Sequence, residues 1–352
     1  MKNRGWRKGD AIGNTLREAV IIAFLLVLPF LFFWRQFTLN PADRASLGRG
    51  DFTGQYFPLH VFAAREILAG RLPLWNPYLY AGQPALADIQ SGVFYPVNLL
   101  TIFFLWLFGQ DYTLFVQELQ VIVHFSLGGI FTYLFMRRKT GRRLAGLVSA
   151  LTFAYGGYLT SFPVQQMTML EVAVWLPLIL LLIDISIDTP PPRPSPQSPS
   201  SIPHSPIIWA GVAFGFSLLA GHPQTALYVF YASAGYLTFR LWGRRGREVV
   251  QQLALFALVG FGLAAVQILP TLEFIRFSSR AHLGYREVSW GLPLNEIIAL
   301  FYPGFIGGSP QYVGVLPLIL AAMAVLSQVQ KPAGRSRERF FWLGMVAVSL
   351  LL

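Results

Sequence analysis

Cysteine is missing altogether and charge is scarce: none of the 352 residues is Cys, and only 12% are Asp, Glu, Lys or Arg. The first absence excludes disulfides, thiolate metal sites and cysteine nucleophiles, but it leaves the compartment open. The second sets the chain apart from soluble domains, in which about a quarter of residues are charged. Acidic residues are the rarest of the charged ones, 16 against 27 Lys and Arg, for a net charge of +11. No Walker-type phosphate loop, no Gly-x-Ser-x-Gly elbow and no His-Glu-x-x-His zinc helix occurs. Short alternating strands of the membrane-barrel kind are also absent.

What is present is apolar. The chain is 54% hydrophobic, with a mean hydropathy of +0.52. Several runs approach or exceed ~18 apolar residues, enough to span a bilayer core of ~30 Å. The expectation is an all-α polytopic membrane protein. Its basic residues sit in short segments beside the runs, where they act as a topology signal. No basic patch points to nucleic acid, which is not expected as a partner. Lys2, Arg4, Arg7, Lys8 and Arg17 precede an apolar run that ends at Trp34-Arg35 without a small-x-small cleavage site, so it reads as an uncleaved first span. The run from Phe340 to Leu352 has only about 13 residues, too short to span. It reads as a truncated span, and the chain as a fragment or the product of a truncated gene.

The positive-inside rule places residues 2–17, Arg137-Arg138-Lys139 with Arg142-Arg143, Arg193, Arg244-Arg245-Arg247 and Lys331–Arg339 in the cytoplasm. That decides the reading of 94–108. Its roughly 15 residues make a helix of only ~22 Å, and Pro96 and Asn98 interrupt it. It is assigned as an interfacial or re-entrant helix on the outer face. The expected spans are 18–34, 114–136, 144–161, 167–187, 207–220, 225–242, 249–269 and 313–328, with 340–352 truncated. Two long outer loops follow, 35–113 and 270–312. The Pro-rich stretch 189–206 is expected to be a disordered cytoplasmic linker.

The first outer loop holds the densest polar and aromatic sequence, including Asp51-Phe52-Thr53-Gly54-Gln55-Tyr56 and Trp75-Asn76-Pro77. Aromatic faces stack on sugar C–H groups while amides and carboxylates take hydroxyls, so this surface suits a sugar. Asp51, with Gln55 and Tyr56 one helical turn on, can accept a proton from an attacking hydroxyl or hold a sugar hydroxyl or a metal. Alternatively it caps the helix that follows. Asp88 can share acid and base roles with Asp51, or flank one metal with it, or simply support the turn before Ser91-Gly92. Trp75, Asn76, Tyr78 and Tyr80 can line a sugar or headgroup surface, or form an aromatic belt.

Elsewhere, Gly221-His222-Pro223-Gln224 joins two spans. His222 and Gln224 can reach a phosphate or sugar, or serve as a polar turn. The second outer loop offers Glu273, Arg276, Arg280, His282, Tyr285 and Arg286. Positive charge outside is unusual. Phosphate binding, anionic lipid contact, or a salt bridge from Glu273 to Arg276 or Arg280 would each account for it. Glu118, His124 and Glu171 are ionisable residues inside apolar runs, but no Asp/Glu/His series suggests a proton relay.

Several motifs together resemble the bacterial YfhO-like membrane protein family, relatives of the GT-C class of integral-membrane glycosyltransferases. These are Asp51-x-x-x-Gln55-Tyr56-x-Pro58, Gly70-x-Leu72-Pro73-Leu74-Trp75-Asn76-Pro77, Gly82-x-Pro84 and Gln90-Ser91-Gly92-x-Phe94-Tyr95-Pro96. The likeness continues through Gly221-His222-Pro223-Gln224, Leu269-Pro270-x-x-Glu273, Tyr302-Pro303 and Tyr312-x-Gly314. The resemblance implies a GT-C-like bundle with short interfacial helices and a catalytic carboxylate, matched by Asp51, in the first outer loop. It implies a polyprenyl-phosphate-linked sugar donor, an extracytoplasmic acceptor and a place in the bacterial cytoplasmic membrane with the N-terminus inside. Gln55, Tyr56, Trp75, Asn76, Asp88, Gln90, His222, Gln224, Glu273 and Arg280 are the expected substrate contacts. Some GT-C enzymes use a divalent cation and others do not; Asp51 and Asp88 would be its ligands. Members of the family are usually much longer. Two rivals remain: a transporter or flippase for lipid-linked sugar, and a non-catalytic protein of envelope assembly.

Overall fold

The computed structural model describes residues 8–188, 206–284, 294–302, 311–327 and 336–351. The expected Pro-rich linker falls outside the described residues except for Pro206, as do Tyr285 and Arg286. The described residues are mostly helix. The long elements are α1 (Lys8–Phe32), α2 (Phe57–Leu68), α3 (Pro96–Phe108), α4 (Leu114–Thr140) and α5 (Arg143–Tyr155). Short α6 (Gly157–Thr160) and α7 (Phe162–Gln165) lead into α8 (Met167–Ala173) and α9 (Leu176–Asp188). Then come α10 (Pro206–Leu219), α11 (Pro223–Arg240), α12 (Gly246–Ile275), α13 (Val315–Ser327) and α14 (Ser336–Leu351). The only described sheet is a hairpin of β1 (Trp75–Asn76) and β2 (Gln83–Pro84).

By length and composition, four helical segments can cross a bilayer: Gly13–Phe32, Leu114–Thr140, Met167–Asp188 and Gly246–Ile275. The third carries a turn at Val174–Trp175. Pro177 has no N–H for the Ala173 carbonyl, so the ladder breaks there. α3, α10 and residues 315–326 are apolar but shorter. α12 runs past Leu269 to Ile275, so the first residues of the expected second outer loop are helical. Pro270 sits inside that helix.

The core lies where α4, α8, α9, α10 and α12 meet. α10 and α12 approach through small residues. A methyl added at Gly211 would lie 2.9 Å from the Phe256 carbonyl oxygen, and one at Gly215 would lie 3.1 Å from that of Gly260. Glycines four apart let helix backbones touch where lipid gives no hydrophobic drive for association. α1 is different, being mostly exposed. It is held near its two ends, by Glu18 at one and by Phe32 and Phe33 against Phe125 at the other.

Charge pairing gathers many of the helix ends on one side. Arg137 Nε and Arg143 Nε bind Glu18 Oε1 at 3.1 and 2.8 Å, and the Tyr133 hydroxyl donates to the same carboxylate. Lys139 reaches Asp184 and Glu338 at 3.5 and 2.8 Å. Arg240 pairs with Asp184 and, at 2.8 Å, with Asp188. Asp184 is buried and also accepts from the Tyr236 hydroxyl at 2.7 Å. The start of α1, the ends of α4, α9 and α11 and the starts of α5 and α14 therefore share one basic end.

The segment 35–113 packs on the opposite end. Glu118, near the start of α4, accepts from Ser46 Oγ at 2.5 Å and from Leu47 N at 2.7 Å. It is thus a buried anchor for this segment. Gln117 Nε2 donates to the Phe52 carbonyl at 2.7 Å, and Gln120 Nε2 to Asn98 Oδ1 at 2.9 Å. α3 buries Asn98, Ile102 and Leu105, spaced as one helical face, and exposes Phe103, Phe104, Trp106 and Phe108.

Candidate functional site

Asp51 opens a single wide π-type turn, Phe52–Tyr56, that runs directly into α2. It follows Gly50, whose φ of +53° is the left-handed conformation that glycine adopts without strain. Asp51 does not cap the turn with its side chain. Its exposed carboxylate instead accepts from Gln166 Nε2, at the junction of α7 and α8. Gln166 is satisfied on its other side too, because its Oε1 accepts from the Tyr56 hydroxyl at 2.5 Å. Tyr56 in turn accepts from Thr168 Oγ1 at 3.3 Å. Every donor in the series Thr168, Tyr56, Gln166 points toward Asp51, and such chains polarise one another toward a terminal anion. Burial raises the pKa of the Tyr56 hydroxyl, Thr168 opposes the shift, and the charges of Asp51, Glu171 and Asp88 add to it. The phenol therefore stays protonated.

Gln55, one turn on from Asp51, donates through Nε2 to Gln90 Oε1. Gln90 lies in the 3-10 turn Ile89–Ser91. Asp88 caps that turn by accepting from Gln90 N at 3.0 Å, which makes it a turn support. The 85–92 segment is then clamped from two sides. Gln267 Nε2 donates to the Leu86 carbonyl at 2.7 Å and Thr271 Oγ1 to that of Ala87 at 2.9 Å, both from α12. On the other side Gly221 packs on Ile89: a Cβ at Gly221 would sit 2.5 Å from the Ile89 carbonyl oxygen.

That contact brings the His222 turn beside Gln90. His222 caps α11: its Nδ1 accepts from Thr225 N at 3.2 Å and lies 2.8 Å from Thr225 Oγ1. Accepting there puts the ring proton on Nε2, which becomes a donor. Burial lowers the ring's pKa, so it stays neutral. Gln224 is exposed and donates to the Tyr228 hydroxyl at 2.8 Å along its own helix.

Other expected contacts lie apart. Asn76 is buried and accepts from Tyr78 N at 2.9 Å, an Asx turn. Trp75 covers Gly82, whose φ is +115°, and so braces the hairpin. Glu273 is exposed in the last turn of α12 and forms no ion pair among the described residues. Arg280 lies in the turn Ser279–His282, and its side chain is outside the described residues. No group of three or more His, Asp or Glu that could hold a metal occurs among the described residues. Asp88 Oδ1 is committed to its turn.

Two cavities touch the 35–113 segment. The larger, about 280 Å³, is an open groove lined by Gln36, Phe37, Thr38, Leu39, Arg44 and Phe115. The smaller lies between His60, Asn98 and Tyr112. Asp51 lines neither.

Spacing alone does not reveal Gln166. A signal was present nonetheless: Gln165-Gln166 is a polar pair in the short link between the expected spans 144–161 and 167–187. The structure also joins two ionisable residues that lie far apart in sequence. His124 Nε2 lies 4.0 Å from Glu171 Oε1, and both side chains are buried. Among the described residues the two form a single pair rather than a longer series of ionisable residues.

The chain matches no protein-family model and no curated protein. The likeness to the YfhO-like family therefore rests on the motifs quoted above.

Proposed function

We propose that this protein is a GT-C-type glycosyltransferase of the bacterial cytoplasmic membrane, moving a sugar from a polyprenyl-phosphate carrier to an extracytoplasmic acceptor. One observation carries the reading. Asp51 is an exposed carboxylate on a buried frame, and among the described residues it is held by an amide that orients it rather than by a helix it caps. In this reading the acceptor hydroxyl attacks the anomeric carbon and its proton passes to Asp51. The bond from that carbon to the phosphate oxygen breaks, and the phosphate leaves with the electron pair. The leaving group is already a stable anion, so one general base suffices. His222 Nε2–H is a neutral donor for the phosphate. α3, with its exposed aromatic face, would lie in the membrane interface beside the carrier lipid.

The test is transfer of labelled sugar from a polyprenyl-phosphate donor by the full chain in vesicles. Asp51→Asn keeps the shape and removes the base. It should slow transfer by about 100-fold or more; transfer at the wild-type rate would overturn the assignment.

A second reading, movement of lipid-linked sugar without bond transfer, is favoured by the buried Glu171–His124 pair, because ionisable groups inside spans mark transport paths. The same vesicles separate the two readings. Donor that crosses the bilayer with its sugar bond intact supports the second.

A further inference from the structure

Glu171 is 1% exposed, and neither of its carboxylate oxygens has a hydrogen-bond partner among the described residues. An ionised carboxylate offers about four acceptor sites, and burying it without donors costs far more than burying the neutral acid. His124 is fully buried beside it. Its Nδ1 lies 2.6 Å from the Gln120 carbonyl and must donate there, so in the neutral ring Nε2 is the acceptor. That nitrogen takes the Tyr95 hydroxyl at 2.7 Å, and Tyr95 itself accepts from Trp175 Nε1 at 3.0 Å.

The surroundings hold few other charges. α4 contributes His124, the 52–56 turn contributes Tyr56, and the segment before α3 contributes Tyr95. When ionised, Glu171 acts electrostatically on both tyrosines and on Tyr112, just before α4, and burial keeps all three hydroxyls protonated. α7 and α10 carry no ionisable side chain, and the charged residue of α11, Arg240, is tied up at the basic end. Among the described residues the ion-pair partner of Glu171 is His124. With one proton between them the pair is neutral overall. With none it is a buried anion, and with two a buried cation.

We propose that Glu171 and His124 form a proton-binding site inside the helical bundle, and that the bound proton governs how firmly Asp51 is held. The coupling runs through Thr168, which precedes Glu171 by one helical turn on the same face of α8. While the proton is present, the Thr168 hydroxyl serves Tyr56, Tyr56 serves Gln166, and Gln166 holds Asp51. When the proton leaves, the Glu171 carboxylate needs donors. The hydroxyls of Thr168 and Tyr56 turn inward, and Asp51 loses its anchor. The ligand of this site is the proton, and the inference stands apart from any reading of Asp51 as a catalyst.

Infrared spectra of the full chain in phospholipid vesicles read the site directly. At neutral pH a protonated carboxylic acid band should be present. It should move when the protein carries isotope-labelled glutamate and vanish in Glu171→Gln. Should that variant fail to fold, Glu171→Asp must shift the band. Raising the pH until the band disappears should lower the amide protection factors of residues 51–56, taken relative to the intrinsic base-catalysed exchange rate at each pH, in the wild type and leave those of Glu171→Gln unchanged. A neutral-pH spectrum without a glutamic acid band, or one that Glu171→Asp leaves untouched, overturns the proton site. Loss of the band with unaltered protection factors at 51–56 overturns the coupling.

Discussion

Gly221 lies against the backbone of Ile89, with no room for a side chain between them. This contact ties the α10–α11 turn to the segment bearing Asp88 and Gln90. Gly221 also has φ +94°, a conformation that costs a residue with a Cβ about 1–3 kcal/mol. Gly221→Ala is expected to lose at least that much stability, because a backbone carbonyl cannot move aside as a side-chain tip can. Denaturant unfolding in detergent measures the loss, and faster amide exchange at residues 88–92 would show where it arises.

Gln166 is the joint between the carboxylate and the bundle. Gln166→Leu removes the donor to Asp51 and the acceptor from Tyr56 together. Stranding the buried Tyr56 hydroxyl should cost about 1–3 kcal/mol. The protein should remain folded, and sugar transfer should fall, since Asp51 then samples orientations unsuited to a bound acceptor. A variant with unchanged transfer would show that Asp51 needs no positioning.

His60 predicts an acid sensitivity. It is buried in α2, and burial pulls its pKa from the ordinary 6.5 down to about 4, opposed by Gln117. Between those values the unfolded chain binds the proton and the folded one does not. The stability that a neutral His60 contributes is therefore complete above 6.5 and drains away as the pH falls toward 4. The full amount is about 3 kcal/mol. Unfolding titrations over this window should show that slope in the wild type, and His60→Gln should flatten it. His222, also lowered by burial, acts in the same direction and leaves a residual slope.

Much of this was legible in the sequence. The apolar runs and the flanking basic residues point to helices whose charged ends cluster, and the ion pairs of Glu18 and Asp184 show such an end. α3 is a short apolar helix because Pro96 opens it and Gly109, in the left-handed conformation, closes it. Both residues are local signals. Asp51 stood out by its polar, aromatic setting. Asp88, Asn76 and His222 looked equally chemical, but each is used largely to satisfy nearby backbone N–H groups, a role short polar side chains often fill. What stayed hidden depends on pairs far apart in sequence. Gln166 meets Asp51 across 115 positions, and no spacing rule brings them together. Glu171 and His124 each look odd in an apolar run, yet only the packing of α8 on α4 makes them one unit.

The first helix touches its neighbours along a narrow seam, so most of its circumference is open rather than packed on protein. Leu16, Val20, Val27 and Leu31 should trade freely with any residue of similar greasiness. Glu18, Leu25 and Phe33 mark the seam, where such swaps would loosen the helix from its neighbours. Evolutionary drift in this segment should therefore follow a single face, and the quiet face should be the one turned toward α4.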